Sequence, residues 1–215
     1  MSWQGYYSAE QETIRGSDLM AENKIMNKTL YELMFRNRNI FLDTFMILAS
    51  VAFLGVMANI QIPLWPVPIT MQTFGVFAIA FFFGSRKGFL SILAYVLAGL
   101  VGFGVFAGHS SGMKVLLGPS GGYIIGFLFM AFFVGLMIEN GYGRSRKNIL
   151  LCMLVGEVIL YVFGLAGLWY NLGYVPFLKV LQYGLFPFII GDTIKAMAAV
   201  GIFPYLWKGA EKIRI

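Results

Sequence analysis

The sequence predicts an all-α membrane protein with six transmembrane helices and both termini in the cytoplasm. Three observations lead to this prediction: the chain is 59% hydrophobic and only 12% charged, six apolar stretches follow one another, and basic residues gather in alternate connections. A soluble domain usually carries about 25% charged residues. The mean hydropathy of +0.76 agrees that much of the surface faces lipid.

Most of the apolar stretches can cross a hydrocarbon core of about 30 Å at about 1.5 Å of rise per residue. They are Ile40–Ala58, Thr70–Gly84, Phe89–Phe106, Gly121–Ile138, Ile149–Trp169 and Tyr183–Leu206. The second is short, and short membrane segments often border a ligand cavity because irregular backbone must be shielded from lipid. Residues 40–208 therefore form the membrane domain, and residues 209–215 form a basic cytoplasmic end.

Residues 1–39 are the extended polar region of the chain and lack the features of a secretory signal peptide. They are expected to be a cytoplasmic tail, whether native or partly an added extension. Four apolar residues in it recur at helical spacing: Met26, Leu30, Leu33 and Met34. This pattern predicts either a short amphipathic helix on the membrane surface, among Lys28, Glu32 and Arg36, or a partly ordered tail.

The orientation follows from the lysines and arginines, which concentrate in cytoplasmic loops of membrane proteins. Thirteen of the 16 lie in the N-terminal region, in the second-to-third and fourth-to-fifth connections, and at the C-terminal end. These are Arg15, Lys24, Lys28, Arg36, Arg38, Arg86, Lys87, Arg144, Arg146, Lys147, Lys208, Lys212 and Arg214. The alternate connections contain only Lys114 and Lys179, so both termini are predicted to be cytoplasmic.

The two external connections differ from solvated linkers. Asn59–Ile69 is rich in proline and apolar residues, and Ala107–Gly121 is rich in glycine. Such sequences predict ordered lids over an outward-facing pocket, although proline and glycine also commonly terminate helices.

The most informative side chains are charges inside the sixth apolar stretch, because each costs about 2.5–3.5 kcal/mol at a helix centre in a bilayer. Asp192 and Lys195 are three residues apart, so they share a helix face and can neutralise each other. They predict either a site for a small polar ligand or an ion pair that only pins the helix. We favour the ligand site, for a molecule that has N–H donors and an oxygen acceptor or negative group.

Other polar side chains are weaker candidates. Gln72 and Thr70 begin the short second helix, although Thr70 also fits a helix cap. Tyr123 falls near an outer boundary, where tyrosine is either an interfacial anchor or a pocket residue. His109 and Ser110 would complete the site from the external loop, although a loop histidine is more often solvated.

Glu157 is a second intramembrane carboxyl, with either a proton-relay or ligand role or a structural hydrogen bond to another helix. Asp43, near the start of the first helix, is expected to interact with that helix's dipole at the membrane interface.

Several function classes are excluded or disfavoured. One cysteine, Cys152, and one histidine exclude a disulfide framework and a thiolate or multi-histidine metal site, and no Walker A or dinucleotide-binding motif is present. Ser110 and Ser111 have no partner at recognisable spacing, which disfavours a serine hydrolase. The net charge of +6 follows the membrane-orientation pattern, so nucleic acid is not an expected partner. No metal or cofactor is expected.

Three blocks carry a family resemblance: Pro66-Val-Pro-Ile-Thr-Met-Gln-Thr73, Gly118-Pro-Ser-Gly-Gly-Tyr-Ile-Ile-Gly-Phe127 and Gly191-Asp-Thr-Ile-Lys-Ala196. Together, over roughly residues 40 to 208, the chain resembles the BioY proteins, the biotin-binding S components of energy-coupling factor (ECF) vitamin transporters.

The resemblance implies six helices, an outward-facing biotin pocket that contains Asp192 and Lys195, and no independent ATP hydrolysis. The chain is therefore expected to bind biotin and to catalyse no covalent chemistry. Asp192 would accept from the ureido N–H groups, and Lys195 would meet either the ureido oxygen or the valerate carboxylate. It also implies a bacterial or archaeal plasma membrane, and partners in the form of a membrane coupling (T) subunit and two cytoplasmic ATPases. Ala49, Ala52, Gly55 and Ala58 form a small-residue stripe for docking, without the strict A-x-x-x-A spacing.

Rival hypotheses are an S component for another vitamin, a membrane-embedded enzyme that uses Glu157 or Asp192 as a base, and a channel or proton-coupled carrier that uses Glu157.

Overall fold

The computed structural model describes residues 28–35 and 37–213, without the side chains of Glu211 and Ile213. The predicted tail residues 1–27, including Met26, and also Arg36 and Arg214, lie outside the described residues. Within them the chain forms eight α-helices, one two-stranded sheet and one 3-10 turn over Ala107–His109. In chain order these are α1 Leu30–Met34, α2 Ile40–Asn59, β1 Gln61–Ile62, β2 Ile69–Thr70, α3 Gln72–Leu100, α4 Met113–Leu116, α5 Gly121–Glu139, α6 Arg146–Asn171, α7 Phe177–Gly184 and α8 Phe186–Ile213.

Five stretches of the described residues are long and apolar enough to cross a membrane, where the sequence predicted six. They are Ile40–Asn59, Gln72–Leu100, Gly121–Glu139, Arg146–Asn171 and Phe177–Ala210. The difference lies in α3, which contains most of the second and third predicted segments. No separate loop divides them, because helical hydrogen bonding resumes at once after a single residue, Gly84.

Gly84 nevertheless reverses the chain. Its φ of 79° and ψ of −163° are not helical. Gln72 Nε2 lies 2.7 Å from the Tyr95 hydroxyl, whereas residues so separated would be about 35 Å apart on a straight helix. The two halves of α3 therefore lie side by side, with Gln72 and Tyr95 at the same end.

The bundle is built around α3 and α5, which are the most buried of the spans, while α2 and the α7–α8 stretch lie at the periphery. Helix α3 packs against α2 and α5, α5 packs against α6, and α6 packs against α8. Gly135 of α5 allows a close approach to α3, since a Cβ there would lie 2.4 Å from the backbone of Gly84.

Polar side chains hold the end of the bundle at which α3 reverses. Glu139 accepts from the Ser85 amide at 2.8 Å and from its hydroxyl, so a carboxylate caps the second half of α3. Asp43 accepts from Lys87 at 2.6 Å and from the Tyr31 hydroxyl at 2.5 Å. Burial and the Asp43 hydrogen bond raise the pKa of Tyr31 to about 12, which keeps the phenol a donor.

The predicted amphipathic segment is a helix of one turn, α1, which begins with a capping box formed by Thr29 and Glu32. Leu30, Tyr31 and Leu33 are buried against the bundle, and Met34 is exposed. The apolar face of this segment thus packs on protein, and the Tyr31 ring contacts the rings of Phe82 and Phe83.

Gly84 generates a stability prediction. Replacing it with Ala places a Cβ 2.3 Å from Glu139 Oε1, at a φ that L-residues rarely adopt. We expect Gly84→Ala to cost at least about 1–3 kcal/mol and to lower the thermal unfolding midpoint of the purified protein in detergent. Gly209→Ala is the control, since nothing lies within 4 Å of its Cβ. Equal midpoints for Gly84→Ala and the wild type would contradict this account of the reversal.

Candidate ligand-binding site

The two charges of the last span form a buried ion pair. Asp192 and Lys195 are 9% and 4% exposed, and the Lys195 ammonium lies 2.9 Å from Asp192 Oδ1. Neighbouring helices complete the pair, since the Tyr161 hydroxyl of α6 donates to Asp192 Oδ2 and Lys195 Nζ lies 3.4 Å from Thr73 Oγ1 of α3. Both charges are therefore compensated inside the bundle.

A cavity of about 140 Å³ opens beside Asp192. Its walls come from the loop before β2, the start of α3, the segment from 106 to 120, and helices α5, α6 and α8. The lining residues are Val67, Pro68, Thr70, Gln72, Thr73, Phe106, Ala107, Ser110, Val115, Ser120, Tyr123, Ile124, Phe127, Leu160, Tyr161, Phe188 and Asp192. Aromatic and aliphatic walls with a few polar groups are typical of a small-molecule site.

The polar groups near the start of α3 form a connected chain. Thr70 donates to Gln72 Oε1 at 3.0 Å, Gln72 Nε2 lies 2.7 Å from the Tyr95 hydroxyl, and Tyr95 donates to the Val105 carbonyl at 3.1 Å. The reversal at Gly84 brings Tyr95 to this position. The Gln72 amide is thus held in one orientation at the cavity wall.

Tyr123 closes the cavity from α5. Its hydroxyl donates to the Gly184 carbonyl at 2.7 Å, and its ring stacks on Phe188 at 6.1 Å between centroids. Gly164 of α6 allows this placement, because a Cβ there would lie 2.3 Å from the tyrosine ring.

The two connections that the sequence predicts to be external border the cavity, which is the position expected of lids. Gln61 and Ile62 pair with Thr70 and Ile69 in antiparallel register, which turns Val67 and Pro68 toward the cavity. The second connection supplies Phe106, Ala107 and Ser110, and Ser110 donates to the Ala107 carbonyl at 2.7 Å.

The structure brings together most of the predicted site residues. Those that line the cavity are Thr70, Gln72, Ser110, Tyr123 and Asp192. Lys195 is not among the lining residues and contacts the cavity through Asp192. His109 does not line it either: its side chain is exposed, and its backbone amide donates to Asn59 Oδ1 at 2.9 Å.

Two polar residues that contact the ion pair were missed by the sequence reasoning. Tyr161 lies one helical turn after Glu157, and Thr73 directly follows Gln72, so their spacing to candidate residues was a usable signal. A tyrosine or threonine side chain costs little free energy inside a membrane helix, so neither residue stands out in the sequence. Only the packing of α3 and α6 on α8 brings them into contact with the ion pair.

A model of the BioY family matches residues 27–212 of this chain. The chain belongs to the BioY family. Its match begins just before α1, so the family pattern includes the short helix that the sequence analysis placed in the tail.

Individual BioY proteins are similar over most of their length. A "Probable biotin transporter BioY" of Pyrococcus horikoshii is 41% identical over 70% of this chain and 86% of its own length. A "Biotin transporter BioY" of Thermotoga maritima is 39% identical over 69% of this chain and 85% of its own length. A crystal structure of the S-component for biotin from an ECF-type ABC transporter superposes with a TM-score of 0.69 and 29% identity, covering 78% of this chain and 92% of that one. The family resemblance inferred from the three motifs is therefore confirmed.

The ion pair generates a prediction for stability. Asp192→Ala removes the carboxylate that lies 2.9 Å from the buried Lys195 ammonium, so we expect a loss of about 3–5 kcal/mol in the free energy of unfolding. The double variant Asp192→Asn/Lys195→Met removes both charges, so its thermal unfolding midpoint should lie closer to that of the wild type. Thermal unfolding of the purified proteins measures both effects. A double variant as unstable as Asp192→Ala would contradict this account, in which the uncompensated charge of Lys195 causes the loss of stability.

Proposed function

We propose that this chain is the substrate-binding membrane subunit of an ECF-type importer, which takes up biotin at the outer face and delivers it inward when partner subunits reorient it. The observation that carries the proposal is the buried Asp192–Lys195 pair at an enclosed, aromatic-lined cavity in a BioY-family chain.

The chemistry of the cavity suits biotin. The ureido ring of biotin offers two N–H donors and one oxygen acceptor, and its side chain ends in a carboxylate. The Asp192 carboxylate accepts from the N–H groups, and charge-assisted hydrogen bonds of this kind are stronger than neutral ones. Lys195 is the cation for the ureido oxygen or the carboxylate, and Phe106, Phe127 and Phe188 surround the apolar ring system.

The remaining predicted site residues have defined parts in this proposal. Gln72 and Thr70 present amide and hydroxyl groups, with Tyr95 holding Gln72 in place, and Ser110 offers its hydroxyl from the second connection. Tyr123 forms a wall. His109, exposed outside the cavity lining, is assigned at most a contact at the entrance.

We also propose six membrane crossings with both termini cytoplasmic. The reversal at Gly84 divides the second span into two antiparallel crossings, which supports an even number. Lys87 and Arg144 lie at the same end of the bundle as α1, since Lys87 stacks on Tyr31 at 4.3 Å and Arg144 donates to the Lys28 carbonyl at 3.3 Å. This basic end is the cytoplasmic one under the positive-inside rule.

The partners in this proposal are a membrane coupling subunit and two cytoplasmic ATPases. Helix α2 is the least buried span and offers a lipid-facing surface for the coupling subunit. Of the small residues predicted to form the docking stripe, Ala49 and Ala52 are exposed, Gly55 is half-buried and Ala58 is fully buried. The docking surface is therefore centred on Ala49 and Ala52.

Biotin binding tests the proposal directly. We expect the purified wild type to bind biotin in titration calorimetry, and Asp192→Asn to weaken binding by at least about tenfold because a charged acceptor is lost. Thr193→Val is the matched control, since this neighbour is exposed and its hydroxyl donates to the Ile189 carbonyl of its own helix. A wild type that binds another vitamin instead, or an Asp192→Asn variant with unchanged affinity, would contradict the assignment.

Uptake tests the proposed partners. Cells that produce this chain with a coupling subunit and two ATPases should accumulate radiolabelled biotin, and an inactivated ATPase should abolish accumulation. Biotin flux that depends on a proton gradient in vesicles containing this chain alone would instead favour a proton-coupled carrier.

A further inference from the structure

Glu157 is a buried carboxyl that the proposed binding chemistry leaves unused. It lies on α6, four residues before Tyr161, and therefore on the same helix face. Less than 1 Å² of either carboxyl oxygen is exposed, and neither oxygen has a hydrogen-bond partner among the described residues. An intramembrane carboxyl with no partner is costly to retain, so its position relative to the ion pair is informative.

The register of α6 against the last part of the chain places Glu157 at the level of Lys195. Gly184 lies against Leu168, and Asp192 accepts from Tyr161, so the two elements run antiparallel. From the Tyr161–Asp192 contact, one further turn leads to Glu157, about 6 Å along α6, and to Lys195, about 4.5 Å along α8. Glu157 also interacts electrostatically with both Asp192 and Lys195.

Lys195 and Glu157 both have hydrogen-bonding groups that are left unused. The Lys195 ammonium has three donors, of which one is directed to Asp192 and one, at 3.4 Å, to Thr73. Its third donor has no acceptor among the described side chains, and the Glu157 oxygens, at the same level along the helices, have no donor among the described residues.

Both oxygens of the Asp192 carboxylate, in contrast, already accept hydrogen bonds. Oδ1 accepts from Lys195 and Oδ2 accepts from Tyr161. A ligand N–H that enters the cavity must compete with these donors for the carboxylate. If Lys195 turned away with no other acceptor, a buried ammonium would lose its compensation.

We propose that Glu157 is a positioning residue for ligand binding: it accepts a hydrogen bond from Lys195 when a ligand N–H occupies Asp192. Lys195 thus changes its carboxyl partner from Asp192 to Glu157, within one helical turn. The ammonium stays compensated both with and without the ligand. This inference rests on the proposed function, since it requires a ligand that donates to Asp192.

The test compares Glu157→Met, which keeps the length of the side chain, with Glu157→Gln, which keeps an acceptor. Biotin affinity is measured by calorimetry, and the thermal midpoint is measured without biotin. Because Glu157 makes no hydrogen bond in the described structure, Glu157→Met should leave the ligand-free midpoint unchanged or raise it. Its dissociation constant for biotin should rise by about 10- to 100-fold. The dissociation constant of Glu157→Gln for biotin should lie closer to that of the wild type.

Val158→Met is the matched control, because Val158 is the next residue and is 64% exposed toward lipid. Unchanged biotin affinity in Glu157→Met overturns the inference, as does a Glu157→Gln variant that binds as weakly as Glu157→Met. A lower ligand-free midpoint or failure of Glu157→Met to fold would show a structural role and also overturn it. A wild type that does not bind biotin would be evident in the same series and would overturn the proposed function itself.

Discussion

The structure depends on keeping one carboxylate and one ammonium compensated in a region with no bulk water. Asp192 and Lys195 neutralise each other along one helix face, yet the carboxylate also needs Tyr161 of α6 and the ammonium reaches toward Thr73 of α3. These contacts determine which face of α8 turns inward. The cavity forms where that face meets the ends of α3, α5 and α6, so the group that is most expensive to bury is also the group available to a ligand.

The reversal at Gly84 is the second constraint, because it brings distant residues to one site. It returns Tyr95 to the level of Gln72, where the two side chains hydrogen-bond beside the cavity. The turn itself is possible since Gly84 adopts a positive φ and Gly135 lets α5 approach its backbone. Glu139 then caps the helix that resumes at Ser85. A compact turn at one end of the bundle thus determines the geometry of the cavity at the other.

Sequence reasoning identified Asp192, Lys195 and Gln72 because polar groups in an apolar stretch carry a cost that is visible without a structure. It identified the family from the resemblance of three short motifs, which contain these polar groups and the glycines and prolines around them. The segment count was different, with five long apolar stretches in place of six, because nothing in the sequence around Arg86 and Lys87 shows that the turn needs only one residue. Tyr161 and Thr73 were missed, since a hydroxyl in a helix costs little until a charge is packed against it.

By itself, the sequence determined that the chain lies in a membrane, the order of its apolar stretches and the presence of a charged pair in the last of them. These follow from composition and from periodicity along one helix, which are local properties. Only the tertiary structure decided which helices contact the pair, that Lys195 lies behind Asp192, and that the Glu157 oxygens have no hydrogen-bond partner among the described residues. Such relations depend on the register between helices, which close packing of small and aromatic residues sets and which no single segment encodes.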